Sequence, residues 1–309
     1  MNDQADNLRK AIERLENVHI SKPGNSPPAM SKPAGPARVV AVSSGKGGVG
    51  KTSISVNLAL ALSEMHLKPL LIDADIGLAN VEVLFGLTPK YKLMDVINNE
   101  KALADIICEG PRGVRFISGG SGVDELARVG DEQMASLVAE VAELDSDYDI
   151  IIIDTGAGIS ETILSMAAAA DEVIVVTTPE PTSVTDAYAL VKSIVSRDHG
   201  KVLKLIVNRA ENEAEAAEVT AKLSRVSDKF LDLKLQKLGY ILNDPLVVRS
   251  VKQQQPFMLG FPHCQTSKSI REIAIRLMEG TAFTPSAKSR GFAGFLGGLA
   301  KIVNNMQYK

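Results

Sequence analysis

Ala37-Arg38-Val39-Val40-Ala41-Val42-Ser43-Ser44-Gly45-Lys46-Gly47-Gly48-Val49-Gly50-Lys51-Thr52-Ser53 is the stretch that decides the fold. Its first six residues read as a buried strand, and residues 53–64 (SISVNLALALSE) carry helical apolar spacing. Between them stands the pattern G-x-x-x-x-G-K-[ST], with a further lysine, Lys46, directly after the first glycine. Glycines let backbone N–H groups close around an anion, and the helix N-terminus adds partial positive charge. Lys51 is placed to reach the outer phosphates and Thr52, followed by Ser53, to ligate Mg²⁺. Gly45, Lys46, Gly47, Gly48, Val49, Gly50, Lys51, Thr52 and Ser53 are therefore assigned to a nucleoside triphosphate. A glycine-rich turn without a ligand is the weaker reading, because the full pattern and both flanks are present.

Working outward, short β-branched runs alternate with helical patterns. They fall at residues 69–73, 114–117, 149–154, 172–176, 204–208 and 238–241. Nearly continuous apolar strands separated by helices specify an α/β fold, a mostly parallel, doubly wound sheet covered on both faces. Ligands of such sheets bind beyond the strand C-terminal ends, where the polar residues cluster here. Asp73-Ala74-Asp75 follows the second strand and Asp154-Thr155-Gly156-Ala157-Gly158 the fourth. Asp154 fits a carboxylate that holds Mg²⁺ directly or through water, and Gly158 can bring its N–H close to a γ-phosphate. Asp73 reads equally as a cap or turn residue. Asp75 is the better candidate to orient the attacking water and, with Thr52 and Asp154, stands near the metal. Asn208, ending the sixth strand, is a candidate for the base, with a polar turn as the alternative.

With 309 residues and 45% hydrophobic composition the chain can bury a large core, so pattern, not length, must divide it. A formal charge of −3, 4% aromatics and no Trp give neither electrostatic drive nor stacking platforms, and direct nucleic-acid binding is not expected. Two cysteines, Cys108 and Cys264, without a C-x-x-C pair, suit buried thiols in a reducing cytosol better than a zinc module or disulfide framework. The polar N-terminus is not a signal peptide, and no apolar run approaches the ~20 residues of a span, so a cytoplasmic location is expected.

The body, about residues 37–281, is flanked by two appendages. Residues 1–20 contain a short amphipathic helix with Leu8, Ile12 and Leu15 on one face, read as partner-binding, with docking on the body as the alternative. Residues 21–36, rich in proline, form an extended tether. At the other end, residues 282–309 place Phe292, Phe295, Leu296, Leu299, Ile302 and Val303 along one helical face beside basic residues. This segment is expected to target an anionic membrane surface reversibly, lying in the interface without spanning it. Its glycines disfavour helix in water by about 1 kcal/mol each, so it should fold only on burial, against lipid or, alternatively, against the body.

KGGVGKT with the early lysine, DADIGLAN at 73–80 and DTGAGI at 154–159 together resemble the MinD/ParA family of deviant Walker-A ATPases, of the SIMIBI class. The opening DQADNLR and the segment EPTSVTDAYALVK at 180–192 resemble its FlhG branch, regulators of flagellar number and placement. The resemblance covers nearly the whole chain. It implies an ATP-dependent homodimer in which Lys46 reaches the partner's nucleotide, Thr52 and Asp154 serve Mg²⁺, Asp75 orients water and Asn208 contacts adenine. It also implies an FlhF-type GTPase as partner of the N-terminal helix, through Gln4, Leu8 and Arg9, and a flagellar C-ring protein or transcription regulator as partner of the body. MinD-like positioning of cell division and a slowly hydrolysing, nucleotide-gated scaffold are the alternative functions. One departure is Gly156, which stands where MinD-like loops commonly carry proline.

Overall fold

In the computed structural model the described residues are 36–75, 80–119, 131–279 and 291–307. The expectations for residues 1–35, including Gln4, Leu8 and Arg9, lie outside them.

The seven expected strands are present. They are β1 (Arg38–Ser44), β2 (Pro69–Ala74), β4 (Arg115–Ser118), β5 (Ile150–Ala157), β6 (Glu172–Thr177), β7 (Val202–Ala210) and β8 (Gln236–Leu242). A two-residue strand, β3 (Cys108–Glu109), pairs antiparallel with β4. It is too short to carry a periodic signal. The order is β3-β4-β2-β5-β1-β6-β7-β8, parallel throughout apart from β3. β1 therefore lies inside the sheet, between β5 and β6, so the loop that follows it emerges among several strand ends.

Helices among the described residues are α1 (Lys51–Glu64), α2 (Asn80–Phe85), α3 (Leu93–Ile97), α4 (Leu103–Ile106), α5 (Asp131–Leu144), α6 (Glu161–Ala169), α7 (Pro181–Val195), α8 (Glu213–Leu231), α9 (Pro245–Lys252), α10 (Phe257–Gly260), α11 (Gln265–Glu279) and α12 (Gly291–Gln307). Alternation along each strand supplies both faces of the sheet. Val39, Ala41, Ile151, Ile153, Val173 and Val175 join one core with apolar residues of α5, α6, α7, α8 and α12. α1 covers β2 and β5 from the other side, with α11 packed on α1 and β8. Both faces are dry, which explains strands that are apolar at every position.

α12 answers the question left open for the C-terminus. Phe292, Phe295, Leu296 and Leu299 are buried, 6%, 4%, 3% and 4% exposed, against α5, α6 and the sheet. These side chains, expected to face a membrane, are packed here on the chain's own body. Ile302 is half-buried, and for Val303 only the backbone is described. The glycine-rich helix does form on burial, as its composition requires, and the apolar surface it uses is internal. The Asp145 carboxylate, just beyond α5, caps α12 by accepting from Phe292 N at 2.7 Å and Ala293 N at 3.3 Å. The fit beneath α12 is not perfect. A cavity of about 30 Å³, lined by apolar side chains such as Ile72, Leu93, Leu137, Met166 and Phe295, remains there. At roughly 24 cal/mol per Å³ that void weakens the docking by about 0.7 kcal/mol.

No helix among the described residues is long and apolar enough to cross a membrane. Cys108 and Cys264 are free and half-buried, more accessible than the buried thiols expected.

Candidate active site

Parallel register sets the acidic edge. Asp73 of β2 pairs with Asp154 of β5, and Val42 of β1 pairs with Asp154 on its other side, so the acids meet the chain where β1 turns into the phosphate loop. The loop is shaped by contacts that side chains would destroy. A Cβ on Gly45 would lie 2.1 Å from the Asp186 carbonyl oxygen of α7, and one on Gly50 would lie 2.5 Å from Asn208 Nδ2. Gly50 also sits at φ 95°, the left-handed conformation in which it serves as N-cap of α1, and no side chain caps that terminus. The Ser44 hydroxyl donates to the Lys46 carbonyl at 2.7 Å. The first N–H groups of α1 are thus left to an anion.

Lys51 is buried, and desolvation lowers its pKa, opposed by the charges of Asp154 and Asp75. Burial raises Asp154 to about 6, against the lowering effects of the Thr52 and Ser55 hydroxyls and of Lys51. Ser55 Oγ donates to Asp154 Oδ1 at 2.9 Å, while Asp154 Oδ2 is buried without a hydrogen-bond partner. An orphaned carboxylate oxygen in a dry site is unfavourable unless a cation meets it. Two carboxylates, Asp154 and Asp75, act on the one lysine, Lys51, and the remaining negative charge is what a hard divalent cation would balance. The residues therefore fit Mg²⁺, with Asp154 Oδ2 and the Thr52 hydroxyl as the groups that would serve it.

Asp73, fully buried, has its pKa raised to about 7, first by burial and also by Asp154, against the backbone N–H bonds it accepts. Its Oδ2 accepts from Val81 N of α2 at 3.0 Å and its Oδ1 from Asp75 N at 3.2 Å. That is the capping role foreseen as one of its two readings. Asp75 is half-buried and takes a bond from Asn80 Nδ2 at 3.2 Å.

Three expected placements differ. Lys46, read as reaching outward, is folded back onto its own subunit, its Nζ 2.8 Å from both Glu180 Oε2 and Thr182 Oγ1 at the start of α7. The cause is local, since Glu180 and Thr182 at the start of α7 stand within hydrogen-bond reach of the Lys46 side chain. The Gly158 N–H, expected at a γ-phosphate, donates to the Ser44 carbonyl at 2.9 Å because β5 continues alongside the end of β1. Asn208 does stand at the loop, yet it donates to the Val49 carbonyl at 2.7 Å and accepts from Arg209 N at 2.9 Å. It braces the phosphate loop. Ser53 contributes its carbonyl to Asn57 Nδ2 at 2.7 Å. Ser55, Asn80, Glu180 and Thr182 were not singled out from the sequence. Only Asn80, Glu180 and Thr182 stood inside quoted motifs, and their partners are remote in the chain or across a loop.

A doubly wound α/β sheet with a phosphate loop at an internal strand and acids on its neighbours defines a P-loop nucleotide hydrolase. A family model described as ParA, NUBPL iron-transfer P-loop NTPase, matches residues 36–278. The chain is 42% identical over 240 residues to the antiactivator FleN of Pseudomonas aeruginosa, covering 77% of this chain and 85% of FleN. It is 36% identical over 276 residues to the flagellum site-determining protein YlxH of Helicobacter pylori, covering 89% of this chain and 90% of YlxH. Among solved structures, a chain of the MinC:MinD cell division complex of Aquifex aeolicus matches with TM-score 0.64 and 29% identity, over 79% of this chain and 97% of that one. The protein belongs to the ParA/MinD family of P-loop ATPases, as an FlhG-like member. It is an ATP hydrolase. The iron-transfer wording belongs to the family model; Cys108 and Cys264 lie far apart in sequence and form no C-x-x-C pair.

Proposed function

We propose that this ATPase dimerises with ATP, cycles on and off the inner face of the cell membrane, and regulates flagellar number or placement. Similarity to FleN and YlxH supports the flagellar assignment. What supports the cycle is α12, an amphipathic helix docked over a small void and capped by Asp145, whose release from the sheet is part of the proposal. In the resting subunit α12 is packed and Lys46 is held by Glu180 and Thr182. With ATP, Lys51 and the α1 N-terminus bind the phosphates, and Lys46 leaves Glu180 for the partner's nucleotide. Asn208 then contacts the base, the Gly158 N–H exchanges Ser44 for the γ-phosphate, and Asp75 orients the attacking water. Thr52 and Asp154, with Asp75 nearby, would hold Mg²⁺, which would supply positive charge to the phosphoryl oxygens. Two released helices on one dimer bind a membrane with avidity.

Liposome flotation with anionic lipids and light scattering test this reading. Wild type should float with ATP more than with ADP, Lys46→Ala should bind ATP but stay monomeric and unbound, and Phe295→Glu should dimerise without floating. Flotation independent of nucleotide, or unaffected by Phe295→Glu, would count against the cycle. The N-terminal segment 1–20 is proposed to engage an FlhF-type GTPase through Gln4, Leu8 and Arg9, and the body a C-ring protein or transcription regulator. A 1–20 peptide should accelerate that GTPase and its Gln4→Ala form should do so less; equal stimulation removes Gln4 from the mechanism.

A second reading, a nucleotide-gated scaffold with little turnover, draws on the contacts of Lys46 with Glu180 and of the Gly158 N–H with the Ser44 carbonyl, which would have to break before either group could serve a phosphate. Single-turnover hydrolysis separates the two: wild type and Asp75→Ala equally slow would favour the scaffold.

A further inference from the structure

We propose that Gly156 and Asn80 are positioning residues that together seat the Asp75 carboxylate and thereby set the rate of ATP hydrolysis. The inference deepens the proposed function and rests on its assignment of Asp75 to the attacking water.

Asp75 is gripped at three points. Its backbone N–H is fixed by Asp73 Oδ1 at 3.2 Å, one carboxylate oxygen takes the Asn80 amide at 3.2 Å, and the other hangs over Gly156. A Cβ at position 156 would come within 3.1 Å of Asp75 Oδ1 and 4.0 Å of its Cγ. Ala74 pairs with Thr155 across β2 and β5, so register delivers Asp75 to the level of residue 156.

The glycine answers to space and not to backbone conformation. Gly156 is buried within β5 and is not among the residues of positive φ, so alanine could adopt its dihedrals without strain. What alanine could not do is leave Asp75 in place. The Ile163 Cδ1 atom, 3.6 Å from the same Cβ position, bounds the space on another side. The carboxylate must therefore yield by a few tenths of an ångström, and its bond to Asn80 is already long enough to be lost. Displacements on this scale matter because an attacking water must be held in line with the phosphorus, and misplacement approaching 1 Å can lower a rate about a hundredfold. Asp75 acts on Lys51 of the phosphate loop through its charge, which a shift of a few tenths of an ångström leaves in place. Nucleotide affinity should accordingly be spared.

Single-turnover hydrolysis and titration with a fluorescent ATP analogue, measured on the full chain, test the proposal. Gly156→Ala and Asn80→Ala should each slow hydrolysis about tenfold while nucleotide affinity and the melting midpoint stay near wild type. In an Asp75→Ala background neither should slow the residual rate further. In an Asp75→Glu background, whose longer side chain presses closer to position 156, Gly156→Ala should slow hydrolysis by more than it does in wild type. If Asp75→Ala hydrolyses like wild type, the assignment of the water to Asp75 is wrong and this inference goes with it. If Asp75→Ala is impaired but Gly156→Ala and Asn80→Ala are not, or Gly156→Ala acts equally in all backgrounds, only the positioning role is overturned.

Discussion

At the edge where β1, β2 and β5 end, three carboxylates, a buried lysine and an oxygen of Asp154 without a partner are gathered in one place. On the face beneath α12, apolar side chains of α5, α6 and the sheet close against Phe292, Phe295, Leu296 and Leu299, with Asp145 capping the helix. The first region is shaped to be completed by something else, because buried polar atoms without partners are unfavourable. The second completes itself, because apolar surface is satisfied by any apolar cover of suitable shape. A ligand is specified by the positions of individual atoms at the edge, whereas the cover beneath α12 is specified by the shape of its apolar surface.

If that contrast is right, the edge should be intolerant of a single added carbon. Gly45→Ala places a Cβ where the Asp186 carbonyl stands, at 2.1 Å, so the phosphate loop or α7 must move. ATP affinity should fall at least a hundredfold, about 3 kcal/mol, by calorimetric titration. Wild-type affinity in that variant would mean that the loop is not shaped by α7, and the contrast would lose its first half.

The covered face should respond locally. Phe295→Ala removes a side chain 4% exposed, a change that typically destabilises by about 3–5 kcal/mol. If α12 is an exchangeable cover, that loss falls on its docking, so hydrogen exchange should quicken in residues 291–307 while the melting midpoint of the body moves by only a few degrees. A fall of the whole midpoint, with uniform exchange, would make α12 an integral part of the core.

A smaller effect sharpens the edge side of the comparison through pH. Asp154, raised to about 6, holds a proton below that value, and the proton competes with Mg²⁺ for the carboxylate. The Mg²⁺-dependent part of nucleotide affinity should fall about tenfold per pH unit below 6, roughly 1.4 kcal/mol, and Asp154→Asn should flatten the profile. The sign for folding is the reverse. Because Asp73 and Asp154 bind protons more tightly folded than unfolded, the nucleotide-free protein loses stability as pH rises from their ordinary value of 3.8 and has lost it fully by about 7. Thermal melts from about pH 4 to 7 without nucleotide would read it, and a rising midpoint over that range would contradict the raised values.

Much of the frame was legible because it repeats. Seven strands announced themselves as β-branched runs, and the phosphate loop by its glycines and lysines. β3 escaped because two residues carry no period. At the site, residue types were readable and partners were not. That Asp154 and Asp73 would converge followed from parallel strands, but that Lys46 would fold back on Glu180, or that Asn208 would hold the Val49 carbonyl, depends on which groups α7 and β7 bring within 3 Å. In the sequence Gly156 is legible only as a departure from a proline pattern. Its meaning changed once Asp75 was found above it.

The sequence by itself determined the layered sheet, the anion-binding loop and the identity of the acids, because those rest on local spacing and on the alternation of side chains along a strand. Only the tertiary structure decided where the C-terminal helix lies. Amphipathic spacing specifies that a face must be buried, yet it is the same for a lipid surface and for α5 and α6. The choice is made by what stands opposite, here a matching apolar groove and the Asp145 carboxylate aimed at the first N–H groups of α12.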